Sequence, residues 1–222
     1  MLDDLGVPKS KRVFLPCAEI KLVKSTPPPH NTPIRVFCAT RLNWKLPVEP
    51  GRSLLDYKGS DIMVRGLGLF YHQTGVRLDI QLVRKGLHVP ETQDLISEEG
   101  LTDQVTWSPE MSVAEVWSEF ARSDVVIEQL ALSAIGGAGL DAMAAARPVI
   151  GNTHTAMFEG HFGQTSPIFQ AQTAEEVCNQ LKRLVFDPQE RERVGKLGRQ
   201  FVEQYCNPRK AAETCLELLK MA

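Results

Sequence analysis

The sequence predicts an α/β protein, a doubly wound parallel sheet followed by an all-helical C-terminal tail. Three observations carry that prediction. Short apolar runs near 34–39, 76–83, 105–107, 124–127 and 148–150 alternate with capped or amphipathic stretches. Strands joined by helical crossovers lie parallel, with right-handed connections. From Thr173 onward no strand-like run recurs, and apolar residues return at helical spacing. Finally, 43% hydrophobic and 23% charged residues over 222 positions exclude wholesale disorder, collagen and coiled coil.

The elements follow in order. Arg12-Val13-Phe14-Leu15-Pro16 reads as a short strand in a segment too small to bury a core of its own. Pro27-Pro28-Pro29-His30-Asn31-Thr32-Pro33 then favours extended geometry and reads as a linker or surface loop. Residues 1–30 are therefore expected to be the end of a preceding domain with its hinge, and 31–222 the domain proper. Ile34–Ala39 is the first strand and 40–59 a long polar loop. Ser60–Gln73 is a helix ended by Gly75, and Val76–Val83 alternates at period two. Pro90–Glu99 is a helix with proline in its first turn. After Val105–Trp107, Ser112 and Glu115 form a capping box, and Val113, Val116, Trp117 and Phe120 make one apolar stripe. Asp124–Ile127 is a strand, 138–146 an alanine-rich helix, and Pro148–Ile150 the next strand. The tail holds three helices, starting at Thr173, Asp187 and Pro208.

Composition removes several classes of function. With 25 basic and 27 acidic residues the net charge is −2, so no global field draws nucleic acid and any anion site must be local. No apolar run reaches the roughly 18 residues of a membrane span, which leaves only peripheral membrane contact. The acidic start, Met1-Leu2-Asp3-Asp4, is no secretory signal, and a cytoplasmic protein is expected. Five cysteines (17, 38, 178, 206, 215) without a Cys-x-x-Cys pair argue against a disulfide framework and against zinc. His154, Glu159 and His161 lack helical ligand spacing, so no metal site is expected there.

In such sheets ligands sit beyond the carboxyl ends of the strands. The loops there carry neither the Gly-x-Gly-x-x-Gly of dinucleotide-binding domains nor a P-loop. After the first strand come Arg41 and Lys58. A guanidinium fork and an ammonium point charge suit a diphosphate, although solvated loop charges would look the same. After the fourth strand, Gly136, Gly137 and Gly139 precede the alanine-rich helix, where amides and the helix dipole welcome an anion. Asp141 falls in its first turn, as a ribose acceptor or a partner of the dipole. Tight helix–strand packing would equally require small residues here.

The order Arg41, Lys58-Gly59, Leu82-Val83-x-x-Gly86, Val105-Thr106-Trp107-Ser108-Pro109, Asp124-Val125-Val126, Leu140-Asp141-Ala142-Met143-Ala144 and Arg147-Pro148-Val149-Ile150 resembles the C-terminal half of GT-B glycosyltransferases. More narrowly it resembles the retaining group that includes glycogen synthase-like and sucrose synthase-like enzymes, over about residues 31–205. The resemblance implies a Rossmann-like domain that binds a nucleotide-sugar donor, without a metal or other cofactor. It places Arg41 and Lys58 on the diphosphate, Gly136 and Gly137 in the cradling loop, Asp141 on the ribose and Ser108 near the base. It departs from the group at Ser133, where a glutamate is usual, at Asp141 for the second glutamate, at Val83-Arg84-Lys85-Gly86 and at Arg147. Glu128-Gln129 with Ser133 matches a variant carrying Asp-Gln at the strand end. The resemblance further implies a missing N-terminal acceptor domain, which Phe14–Glu19 would leave and the helix at 209–222 would rejoin. It also implies a leaving phosphate that takes the acceptor's proton, since the sequence shows no general base. A non-catalytic nucleotide-binding module or scaffold is the alternative. A receiver-type regulator is disfavoured, because no acidic cluster follows the first strand.

Overall fold

The computed structural model describes residues 15–46, 54–153 and 155–220. Phe14 and His154 lie outside the described residues. The strands are β1 Arg35–Cys38, β2 Asp79–Val83, β3 Val105–Ser108, β4 Val125–Ile127, β5 Val149–Gly151 and β6 Phe169–Gln170. The helices are α1 Ser60–Thr74, α2 Val89–Glu98, α3 Val113–Arg122, α4 Gly137–Ala144, α5 Thr155–Phe162, α6 Ala174–Phe186, α7 Pro188–Tyr205 and α8 Pro208–Lys220. All pairings are parallel, in the order β3-β2-β1-β4-β5-β6.

That order reverses at β1, which pairs with β2 on one side and β4 on the other. The loops leaving β1 and β4 therefore part to opposite faces and open a crevice between them, the usual ligand position in doubly wound sheets.

Both faces of the sheet are covered, as parallel strands require. Val36, Cys38, Ile80, Leu82 and Ile127 point to one face and pack with α1, α2 and α6 through Val64, Leu67, Phe70, Leu95 and Leu181. Phe37, Val126 and Val149 point to the other, against Phe120, Leu140, Met143, Phe158 and Phe201. The alternation of 36, 37 and 38 between these layers is the period-two rule of a strand.

The sheet has one strand more than the sequence predicts. β6 is two residues long, too short for a periodic signal, and α5 fills a stretch without helical periodicity. The second strand starts at Asp79 rather than Val76, because the Leu78 amide bonds the Gln104 side chain at 2.8 Å instead of joining the ladder.

The proline segment is strapped onto the domain rather than standing free. Asn31 donates from its backbone and side chain to the buried Asp124 carboxylate, at 3.2 and 2.9 Å. Thr26 accepts from Arg147 Nη2 at 2.6 Å, and Arg147 Nε donates to the Phe120 carbonyl at 2.7 Å. Arg147 is fully buried, and burial pushes its guanidinium down to about 10 against the opposing pull of Asp124. Arg147 is thus the strap's anchor. At the other end of the chain α8 buries no residue, and Leu216 and Leu219 are 57% and 74% exposed. Leu15, at 37%, is also exposed.

Candidate functional site

The site begins with how the loop after β1 is held. Leu42 N donates to the Lys85 carbonyl at 2.7 Å, and its own carbonyl accepts from His88 N at 3.0 Å. Gly86 makes this approach possible: its φ is 126°, and a Cβ there would stand 2.5 Å from Leu42 N. The Trp44 indole donates to Thr92 Oγ1 of α2 at 2.9 Å and so braces the loop. Lys58 N donates to the Asn43 carbonyl at 2.7 Å and Leu130 N to the Lys58 carbonyl at 3.0 Å, which ties the β1 loop to the one after β4.

These ties close a cleft of about 430 Å³ at the switch point, lined by Arg41, Lys58, Lys85, Glu128, Gly136 and Gly137 among others. Arg41 and Lys58 enter from the β1 side. Gly136 and Gly137 enter from the start of α4, whose N-cap has no side-chain hydrogen bond. Lys58 Nζ donates to the Leu55 carbonyl at 2.6 Å, and Arg41 lies 3.8 Å from Asp56. Burial, then the neighbouring Arg41 charge, lower the Lys58 ammonium below its ordinary range, while Glu128 and Asp56 pull the other way. A cation destabilised in this manner gains most from an arriving anion.

Two residues of the cleft were not singled out as ligands from the sequence. Lys85 adds a third cation and sits 3.6 Å from Glu110 at the rim. Glu128 is the second. Its backbone amide continues the sheet to Ile150 O at 2.8 Å, while its carboxyl lies buried under the glycine turn. Burial pushes that carboxyl up to about 7, despite hydrogen bonds from Gln129 and the Gly136 amide and the Lys58 charge. Gln129 knots the turn itself, donating to Ala134 O at 2.6 Å and accepting from Leu132 N at 2.7 Å.

Of the six residues that the sequence assigns to the donor, Arg41, Lys58, Gly136 and Gly137 meet in this cleft, and Asp141 is not among its lining. It lies one turn into α4 on the side facing α3, where its Oδ2 accepts from the Trp117 indole at 2.9 Å. Ser108 is likewise absent from the cleft lining; its hydroxyl accepts from Gln81 Nε2 at 2.6 Å. Ser133 is exposed, 3.5 Å from Asn152 Oδ1. Among the described residues no group of three or more His, Cys, Asp or Glu could hold a metal ion. A larger groove of about 640 Å³ lies between residues 25–28 and α7, lined by charges of both signs such as Glu192, Lys196 and Glu203. It lies away from the strand ends, which is why the smaller, cation-lined cleft is the candidate.

No protein-family model and no curated protein matches the sequence. Solved structures do. HepE of Anabaena, in complex with UDP and glucose, aligns with a TM-score of 0.70 at 17% identity, over 93% of this chain and 56% of its own. Sucrose-phosphate synthase of Thermosynechococcus elongatus aligns at 0.69 and 18%, over 94% and 52%. The C-terminal domain of LpcC, a group 1 family glycosyltransferase of Francisella tularensis, aligns at 0.61 and 12%, over 84% of this chain and 97% of its own. These likenesses define the class as a Rossmann-like α/β domain. Within that class the fold is similar to that of glycosyltransferases, the C-terminal domain of LpcC among them, and the chain spans about half the length of HepE and the synthase. No helix among the described residues is long and apolar enough to cross a membrane.

Proposed function

We propose that this domain is the donor-binding half of a retaining glycosyltransferase and holds the diphosphate of a nucleotide-sugar in the cleft at the switch point. The observation that carries the reading is convergence: Arg41 and Lys58, from the two ends of the loop after β1, and Lys85, from the loop after β2, share one cleft with the uncapped start of α4. As the sugar–phosphate bond breaks, negative charge grows on the leaving diphosphate. Fixed cations and amides stabilise that charge without solvent reorganisation, so the proposal needs no metal. The leaving phosphate would then take the acceptor's proton. The acceptor would come from a second half, over the surface that Leu216 and Leu219 leave exposed. Complexes of HepE with UDP and UDP-glucose support the donor class.

The exposed Ser133 in place of the family's glutamate favours a second reading, a domain that binds the nucleotide without transferring its sugar. Calorimetry with UDP, GDP and ADP, each with and without its sugar, tests the first step common to both. Charge-assisted contacts of about 1.5–3 kcal/mol predict that Arg41→Ala or Lys58→Ala weakens binding roughly 10- to 150-fold. Binding indifferent to Lys58→Ala would remove the site, and turnover of a nucleotide-sugar would remove the second reading.

A further inference from the structure

An anion cleft has little reason to contain a buried carboxylate, and this one does. Glu128 is 7% exposed and lines the same cleft as Arg41, Lys58 and Lys85. Three glycines make room for it. A Cβ on Gly136 would stand against Glu128 Oε1, one on Gly139 would be 3.1 Å from its Cγ, and one on Gly151 3.5 Å from its Cβ. The carboxyl also takes the backbone hydrogen bond of Gly136, the residue at the start of α4. It thus occupies the place against that amide which a phosphate oxygen would take. The charged groups around it are Lys58 and Arg41 from the β1 side and Lys85 from the β2 loop; the Cys38 thiol, which burial raises to about 11 and which feels the Glu128 charge, is the other titratable neighbour.

We propose that Glu128 is the positioning residue of the cleft and is linked to it by a proton: diphosphate binds when Glu128 is neutral and is held off when it is charged. This rests on the diphosphate reading above. Two anions in one partly buried site repel, so the arriving phosphate draws a proton onto the carboxyl. Neutral Glu128 competes less for the Gly136 amide, and its hydroxyl can donate to a phosphate oxygen. The sign follows. Binding is full below the carboxyl's titration and declines as pH rises through it, with a midpoint near the value of about 7 that burial gives this group.

If only the neutral form binds, apparent affinity scales with its fraction, about half at pH 7 and about one-eleventh at pH 8. Glu128→Gln keeps the shape and the acceptor without the charge. Relative to wild type it should bind UDP equally at pH 6, about twofold tighter at pH 7 and about tenfold tighter at pH 8. The ratio cancels the titration of UDP itself. The test is calorimetry of wild type and Glu128→Gln with UDP and with inorganic pyrophosphate, at pH 6, 7 and 8, in two buffers of different ionisation heat. Proton uptake at pH 8 that is present in wild type and reduced in the variant, with both probes, supports the proposal. A ratio that does not change with pH overturns it. Should the variant fail to fold, wild-type binding without proton uptake at pH 8 overturns it alone and leaves the diphosphate reading standing. A cleft that takes neither probe overturns both.

Discussion

Gly136 and Gly137 are neighbours in sequence, yet alanine should act on them in opposite directions. At Gly136 the backbone is extended, with φ −86° and ψ 165°, so alanine adds no backbone strain there. Its Cβ, however, meets the Glu128 carboxyl oxygen, and that carboxyl is packed beneath the turn. Overpacking of a filled site costs about 1–3 kcal/mol, and the lower half applies because a carboxyl end can swing aside. At Gly137 nothing lies within 4 Å of an added Cβ. There, at the first position of α4, alanine gains about 0.4–1 kcal/mol by restricting the unfolded chain. For a protein of this size one kcal/mol moves the midpoint by about 2–4 °C. Gly136→Ala should therefore melt roughly 2–8 °C below wild type, and Gly137→Ala about 1–4 °C above it, by circular dichroism at one scan rate. Equal shifts in the two variants would refute the placement of Glu128 under the turn.

Other expectations follow from the same structure. Gly195→Ala should destabilise by about 1–3 kcal/mol in urea, because its Cβ would be driven onto the Ala146 carbonyl, backbone that cannot move aside. The wild-type stability advantage over Glu128→Gln should be greatest below about pH 4 and shrink as pH rises toward 7, since the folded carboxyl titrates at about 7 and the unfolded one near 4.3; denaturation midpoints against pH report it. An alkylating reagent at pH 8 should label Cys17 and Cys215, which are exposed, before Cys38 and Cys206, whose buried thiols are raised to about 11 and about 12; peptide mass spectrometry reads the order. Leu219→Glu on α8 should leave the unfolding free energy within about 0.5 kcal/mol of wild type by urea denaturation, because that side chain is largely exposed on a helix that buries no residue.

The five longer strands were legible because both faces of a parallel sheet are buried, which makes them apolar runs between capped helices. The Ser112 and Thr173 capping boxes form as their spacing predicts. β6 was not legible, since two residues carry no period, and its pairing with β5 is set by the tertiary fold. Within the site, the positions of Arg41, Lys58, Gly136 and Gly137 after β1 and β4 mark them as candidates, but only the resemblance separates them from solvated loop charges and from tight helix–strand packing. Glu128 could not: its environment comes from Gly136, Gly139 and Gly151 closing around it, two of them in α4 or its cap and one in β5. Asp141 shows the converse. Sequence places it in the first turns of α4, but the rotation of that helix and the reach of Trp117 decide where its carboxylate points.

The most direct measurement of the account is amide chemical-shift mapping of the wild-type chain titrated with UDP. The account predicts that the largest shifts fall on residues 39–41, 58–59, 85–86 and 134–138, around the cleft between β1 and α4. Shifts confined to residues 25–28 and 189–203, along the larger groove beside α7, or no shifts at all, would contradict it.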